Sequence, residues 1–141
     1  MNKKLIEELK EKLDRDKNNI EKQLEKFATK DERFKDDWDT RFPHFDSQET
    51  GSAALEKAAD EVEEYNTLLP IEYSLELRLK NINLALEKIN PSTDLGVDTE
   101  HNRSIKKGKY GICEKCNNEI PLARLKAFPE AKICTTCQPS T

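Results

Sequence analysis

The sequence has few of the apolar residues from which a large hydrophobic core is built. Only 35% of its 141 residues are apolar, against roughly 45–50% in ordinary globular domains, and 37% are charged. It has no apolar run long enough to cross a bilayer, and no apolar signal-peptide core follows Met1. We therefore expect a cytoplasmic protein without a membrane span, made of exposed helices and a small second module.

Signals of catalysis are also scarce. The two histidines, His44 and His101, stand in polar, turn-prone stretches, and neither is next to a candidate nucleophile. With only four glycines, the chain has no glycine-rich phosphate loop. The acidic residues show no spacing that would bring carboxylates together around a substrate. These absences predict a binding or regulatory protein and not an enzyme.

Cysteines are few, but their positions are the most informative feature of the chain. They fall as two pairs in the pattern C-x2-C-x17-C-x2-C, namely Cys113, Cys116, Cys134 and Cys137. Two intervening residues form a tight turn, so each pair can hold one side of a tetrahedral metal ion. The pattern predicts Zn²⁺, and four thiolates would leave no open position for catalysis. Two disulfides are the alternative, which the expected reducing compartment disfavours.

Charge is unevenly distributed along the chain. Residues 31–64 contain twelve acidic and four basic side chains, a net charge of −8, whereas residues 101–132 contain three acidic and eight basic ones, a net charge of +5. The whole chain carries −4. A net acidic protein is a poor candidate for neutralising DNA phosphates, so direct DNA binding is not expected. The basic end leaves a nucleic-acid-binding zinc module as an alternative.

Two segments carry the seven-residue apolar repeat of packed helices. The first repeat comprises Ile6, Leu13, Ile20, Phe27 and Phe34, supplemented by Leu9 and Leu24. The second comprises Leu68, Leu75, Ile82 and Ile89, with Ala58, Tyr65, Leu79 and Leu86 at the companion spacing. Each seam is narrow and needs a partner, so the pattern predicts a long antiparallel helical hairpin of coiled-coil type. Pro70 predicts either a kink in the second helix or a separate short helix over residues 52–66.

These patterns predict three regions. Residues 1–90 form the helical hairpin, with an acidic bend at about residues 37–60 that contains Pro43 and Gly51. Residues 91–109 form a polar linker, and residues 110–141 form the four-cysteine zinc finger. The fold class is thus mainly α. Because the two seams can pair within one chain, we expect a monomer, with a coiled-coil oligomerisation protein as an alternative.

Residues 110–138, YGICEKCNNEIPLARLKAFPEAKICTTCQ, resemble the C4 zinc finger of the DksA/TraR family of bacterial transcription factors. The resemblance extends beyond the cysteines to Tyr110-Gly111, Ile120, Arg124-Leu125, Pro129 and Gln138. The family also has a helical hairpin upstream, and its second helix is similar to SLELR at residues 74–78. The resemblance implies a transcription regulator that binds RNA polymerase and inserts an acidic-tipped hairpin into the secondary channel to modulate initiation.

The tip is where this chain departs from the family. The family's paired aspartates, D-x-x-D with an alanine two residues later, are absent, and Ala59-Asp60 is the nearest fragment. The candidate tip residues are Asp39, Asp46 and Asp60. This chain also has an insertion at residues 90–105, where the family runs almost directly from the hairpin into the finger.

Overall fold

The computed structural model of the protein describes residues 1–34, 37–43, 50–90 and 109–138. Its elements are α1 (Lys3–Leu24), β1 (Ala28–Lys30), β2 (Trp38–Thr40), α2 (Ser52–Ile89) and α3 (Leu122–Ala127). Most described residues are helical, and the expected mainly α fold with a C-terminal four-cysteine region is confirmed. No helix of the described part of the chain is both long enough and apolar enough to span a bilayer.

The first apolar seam is buried only as far as α1 extends. Along the helix, Leu9, Leu13, Ile20 and Leu24 are buried. The repeat continues to Phe34 and so predicts a helix of about 30 residues, and this prediction is wrong, because α1 ends at Leu24. The chain turns there, with the Phe27 amide donating to the Leu24 carbonyl at 3.1 Å. Phe34, the last member of the repeat, therefore lies outside the helix and is 62% exposed.

A short antiparallel strand pair follows α1. β1 lies where the apolar repeat predicts continued helix, and β2 lies at the start of the predicted bend. Ala28 pairs with Thr40 and Lys30 pairs with Trp38. Ala28 and Trp38 are buried, so one face of the strand pair is shielded from solvent. The Arg41 amide extends the pairing by donating to the Phe27 carbonyl at 2.9 Å. Hydrogen bonds to β2 thus replace those that a longer α1 would have made.

The second apolar seam lies along α2, which runs as one helix through Pro70. Residues 52–66 are therefore not a separate helix. Every member of the predicted seam is at least partly shielded from solvent, and Leu79 and Ile82 are fully buried. Pro70 itself is on the exposed side. Burial of the seam on both sides of Pro70 can offset the roughly 3 kcal/mol that a proline costs inside a helix.

The chain divides into two compact units. Unit 1 comprises Met1–Asn18 and Asn81–Thr141, and its buried core includes Leu13, Ile82 and Leu125. Unit 2 comprises Asn19–Lys80, and its buried residues include Leu24 and Trp38. The grouping places the four cysteines in the same unit as the N-terminal part of α1 and the C-terminal end of α2.

Candidate metal centre

The first cysteine pair sits on a small hairpin that begins at Gly111. Gly111 has φ +82°, and a Cβ there would meet the flexible end of the Met1 side chain. Its carbonyl accepts a hydrogen bond from the Ile120 amide at 2.8 Å, while Ile112 and Glu119 form an isolated antiparallel bridge. Glycine is thus favoured at residue 111 by the backbone conformation.

The loop between the hairpin strands turns the backbone around Cys113. The Cys113 amide donates to the Asn118 carbonyl at 2.8 Å, and the Asn117 amide donates back to the Cys113 carbonyl at 2.9 Å. Asn117 has φ +56°, a left-handed conformation that asparagine tolerates better than most residues. This tight turn directs the sulfur atoms of Cys113 and Cys116 to a common point, as the C-x2-C spacing predicts.

The second cysteine pair uses a similar turn. The amides of Cys137 and Gln138 both donate to the Cys134 carbonyl at 3.2 Å. The Cys134 amide in turn donates to Sγ of Cys113 at 3.3 Å, so the second turn contacts the sulfur of the first. Backbone N–H groups that point at sulfur stabilise its thiolate form.

All four sulfur atoms lie within 4.8 Å of one another, and those of Cys116 and Cys134 are 3.7 Å apart. Zinc bound at about 2.3 Å from each of four tetrahedral thiolates separates neighbouring sulfurs by about 3.8 Å. The cluster therefore has the donor type, number and spacing of a structural zinc site. Cys113 and Cys134 are buried, and the other two cysteines are partly buried. Such a site excludes solvent from the ion and leaves no place for a substrate.

The surroundings of the cysteines favour thiolates at two positions. Desolvation opposes ionisation of Cys113, but backbone N–H groups, foremost that of Cys116, outweigh it and lower its pKa to about 6. The pKa of Cys134 is also lowered, mainly by the Thr136 hydroxyl, whose oxygen lies 2.9 Å from its sulfur. Zinc binding requires all four thiols to lose their protons, and these two begin nearer to that state.

A compact set of buried side chains supports the cysteine turns. Leu125 of α3 and Pro129 are almost completely buried, and so is Ile120. The Tyr110 hydroxyl donates to the Pro129 carbonyl at 2.8 Å. Burial, together with the charge of Glu130, raises the pKa of Tyr110 to about 12, so the phenol remains a hydrogen-bond donor. This hydrogen bond therefore joins the residues just before the first cysteine pair to the long segment between the two pairs.

Two contacts join the finger to the helices within unit 1. Lys88 Nζ at the end of α2 lies 2.6 Å from Oε1 of Glu114. Lys12 Nζ of α1 donates to the Lys126 carbonyl at the end of α3. Neither contact can be predicted from the sequence, because no local pattern indicates a pairing of residues 26 or 114 positions apart.

The structure places the predicted tip residues on different elements. Asp39 is exposed on β2, and Asp60 is exposed on α2. Asp46 lies outside the described residues. Asp39 and Asp60 thus both face solvent, although one is on a strand and the other is on a helix that begins at Ser52.

A second group of carboxylates in unit 2 had no signal in the sequence. Glu76 accepts a hydrogen bond from the Trp38 amide at 2.6 Å, and Glu72 accepts one from the Thr40 hydroxyl. Burial is the main cause of a raised pKa at both glutamates, and the negative charge of Asp37 adds to it. These contacts hold β2 against α2 and place acidic side chains close together.

The comparisons with known proteins agree with the geometry of the cysteine cluster. Residues 108–140 match the prokaryotic dksA/traR C4-type zinc finger. An uncharacterized protein of Aquifex aeolicus (strain VF5) is 33% identical over 140 residues, which cover 97% of this chain and 76% of that protein. No solved structure matches the chain. The resemblance read from the residues around the cysteines is therefore confirmed, and so is the assignment of Zn²⁺ as the cofactor.

Proposed function

Since this chain belongs to the prokaryotic DksA/TraR C4-type zinc finger family, we propose that it is a transcription regulator that binds RNA polymerase and modulates initiation. In this proposal an acidic-tipped helical hairpin enters the secondary channel of the polymerase. The family consists of non-enzymatic regulators, and we propose that this chain has no catalytic activity and acts in the cytoplasm.

The cysteine cluster is the observation that supports this function most strongly. We infer that Cys113, Cys116, Cys134 and Cys137 are the four zinc ligands, because their sulfur atoms converge within 4.8 Å. With all four positions of the ion filled, the metal has a structural role, stabilising a module of about thirty residues that is too small to fold on apolar burial alone. The proposed regions are a helical hairpin at 1–90, a linker at 91–109 and the finger at 110–141.

The acidic segment of residues 37–60 is the proposed acting surface. Carboxylates brought near the catalytic Mg²⁺ ions of the polymerase would act on their electrostatic environment without performing chemistry themselves. Asp39 and Asp60 are exposed, as such a role requires. Asp46 completes the candidate set. Because neutralising these residues leaves the apolar seams untouched, polymerase binding and regulatory effect should be separable.

Direct nucleic-acid binding through the finger has less support. Among its basic residues, Lys115 donates to the Cys137 carbonyl at 3.3 Å, and Arg124 donates to the Gln138 side chain at 2.5 Å. Lys88, which lies beside the finger at the end of α2, is also paired, with Glu114. Cations that are engaged inside the protein are less available to phosphates.

The proposal is tested with purified core polymerase from a bacterium and the zinc-loaded protein. We expect co-purification of the wild-type protein with the polymerase and a change in open-complex lifetime or abortive initiation. The triple variant Asp39→Asn, Asp46→Asn, Asp60→Asn should bind the polymerase with unchanged affinity. Its effect on initiation should be at least tenfold smaller than that of the wild-type protein.

A charge-matched control is available on α1. The triple variant Glu7→Gln, Glu8→Gln, Asp14→Asn removes the same charge from exposed positions and should keep full activity. Absence of polymerase binding by the wild-type protein would refute the function as a whole. Full activity of the tip variant would refute only the role of the acidic segment.

A further inference from the structure

A second apolar stripe runs along the exposed side of α2 in unit 2. It is separate from the seam that is shielded, and its large members are Leu55, Val62, Leu69, Tyr73 and Leu77. At 100° per residue, these five positions fall within an arc of about 80° on the helix surface. Single exposed apolar residues are ordinary on a protein surface, but a continuous exposed stripe marks an interaction site.

The stripe has the spacing of a coiled-coil seam. Adding the exposed Ala59 and Asn66 gives the series 55, 59, 62, 66, 69 and 73, whose steps alternate between four and three residues. This alternation is the heptad pattern of positions that pack against a second helix. The α2 helix therefore carries two such seams, and the described part of the chain covers one of them.

The stripe is almost symmetric about Asn66. On one side its members lie 4, 7 and 11 residues before Asn66, and on the other they lie 3, 7 and 11 residues after it. A second copy placed antiparallel would set Leu55 opposite Leu77, and the small Ala59 opposite the large Tyr73. Asn66 would meet its counterpart at the centre, where a pair of amides can hydrogen-bond and fix the register.

From this symmetry we propose that two copies of this chain pair antiparallel through the stripe on α2, with Asn66 at the centre of the dimer. A partner of unrelated sequence would not require such symmetry, whereas a twofold interface uses the same patch on both copies. The monomer expected from the sequence depends only on the shielded seam of α2, which pairs within one chain.

The exposed area is sufficient for a weak dimer. The five large side chains together offer on the order of 500 Å² per copy, so that a pair buries about 1,000 Å², at the lower end of specific protein interfaces. Small interfaces of this kind give reversible association, and we expect a dissociation constant on the order of 10 µM.

The charges on α2 favour the antiparallel arrangement. Residues 56–64 contain five acidic side chains and one lysine, so a parallel pair would bring two strongly acidic segments together. In the antiparallel pair centred on Asn66, this segment lies beside residues 68–76 of the second copy, which contain only two acidic side chains, Glu72 and Glu76. The exposed Lys80 is one helical turn beyond the position that faces Glu56. The antiparallel arrangement therefore brings fewer like charges together than the parallel one does.

Sedimentation equilibrium of the zinc-loaded protein tests the pairing. Concentrations from about 1 to about 200 µM bracket the expected dissociation constant. The wild-type mass should rise with concentration toward twice the chain mass of 16.3 kDa. Leu69→Glu should weaken the dimer at least tenfold. Ile71→Glu is the matched control, because Ile71 is on the opposite side of the same helix and has similar exposure, 45% against 38% for Leu69.

Circular dichroism and zinc content establish that both variants are folded before they are compared. A spin label on Leu55→Cys, attached with zinc in excess, should give an intermolecular distance of about 33 Å in the antiparallel dimer, since 22 residues separate positions 55 and 77. A monomeric wild-type protein at all concentrations would overturn the proposal. So would equal effects of the two glutamate variants, or a label distance near 10 Å, the separation of packed parallel helices.

Discussion

Lys88 Nζ lies 2.6 Å from Oε1 of Glu114, and this ion pair joins the last turn of α2 to the residue after the first cysteine of the cluster. The Lys88 side chain is only 12% exposed, so the pair is partly shielded from water. The contact lies wholly within unit 1. It couples the zinc-binding turn to the helix end, and that coupling can be measured.

A double-mutant cycle with Lys88→Met and Glu114→Gln should give a coupling energy of about 1 kcal/mol, at the upper end for ion pairs near a surface. Each variant and the double variant are unfolded by urea at low salt and again at 0.5 M salt. The coupling should shrink in high salt, because Glu114 remains partly exposed. A coupling below 0.2 kcal/mol at low salt would mean that the contact contributes nothing to stability.

Zinc removal should unfold the finger and loosen the helix segments that contact it. We expect chelation to abolish hydrogen-exchange protection over residues 109–138 and to lower it at least tenfold over residues 81–89. Lys88 and Lys12 lose their partners when the finger unfolds. Residues 52–79 belong to unit 2 and should keep their protection. Exchange followed by mass spectrometry, with zinc added back as the control, measures all three regions; an unchanged finger would contradict a structural metal.

Gly111→Ala should destabilise the cysteine turn. Alanine at φ +82° costs about 1–2 kcal/mol, and its methyl group would also require Met1 to move. Gly51→Ala is the control for the backbone effect alone, because Gly51 has φ +101° and nothing within 4 Å of its Cβ position. Zinc release to a competing chelator should be faster in Gly111→Ala and unchanged in Gly51→Ala. Equal release rates would show that residue 111 is not important for the metal site.

Acidification from pH 7 to pH 5 should stabilise unit 2 through Glu72 and Glu76. Burial raises the pKa of both carboxyls above the ordinary glutamate value of 4.5 that they regain on unfolding. The folded state therefore binds protons more tightly, and this contribution is present in full below about pH 4.5 and lost as pH rises through the raised pKa values. Asp31, whose pKa is lowered by Arg33, acts in the opposite direction but only near and below its ordinary value of 3.8.

Urea unfolding at pH 7, 6 and 5 measures this dependence. The double variant Glu72→Gln, Glu76→Gln should flatten the pH profile relative to the wild-type protein. Glu63→Gln, Glu64→Gln changes the same charge at exposed positions on the same helix and should keep the wild-type slope. If the two double variants have the same profile, the raised pKa values do not contribute to stability.

Sequence patterns predicted the local features of this protein well, because those features depend on short spacings. Two residues between paired cysteines are sufficient to predict a shared metal site, and the sulfur atoms of Cys113, Cys116, Cys134 and Cys137 do converge. The heptad repeats likewise identified the shielded face of α2, including the buried Leu79 and Ile82. In both cases the residues that determine the structure are close together in the chain.

The features that depend on distant residues were decided only by the tertiary structure. The end of α1 at Leu24 depends on the pairing of residues 28–30 with residues 38–40, and the apolar repeat carries no signal of that competition. Likewise, no sequence pattern predicts that Glu76 accepts a hydrogen bond from the Trp38 amide or that Glu72 accepts one from the Thr40 hydroxyl. The ion pair of Glu114 with Lys88 is equally unpredictable from the sequence. The spacing of the second apolar stripe on α2 can be recognised in the sequence. Its exposure cannot be predicted, because burial depends on which other segments pack against the helix. The sequence by itself therefore determined the metal site and the helical character of the chain, whereas the fold decided which charges meet and which apolar face remains open to a partner.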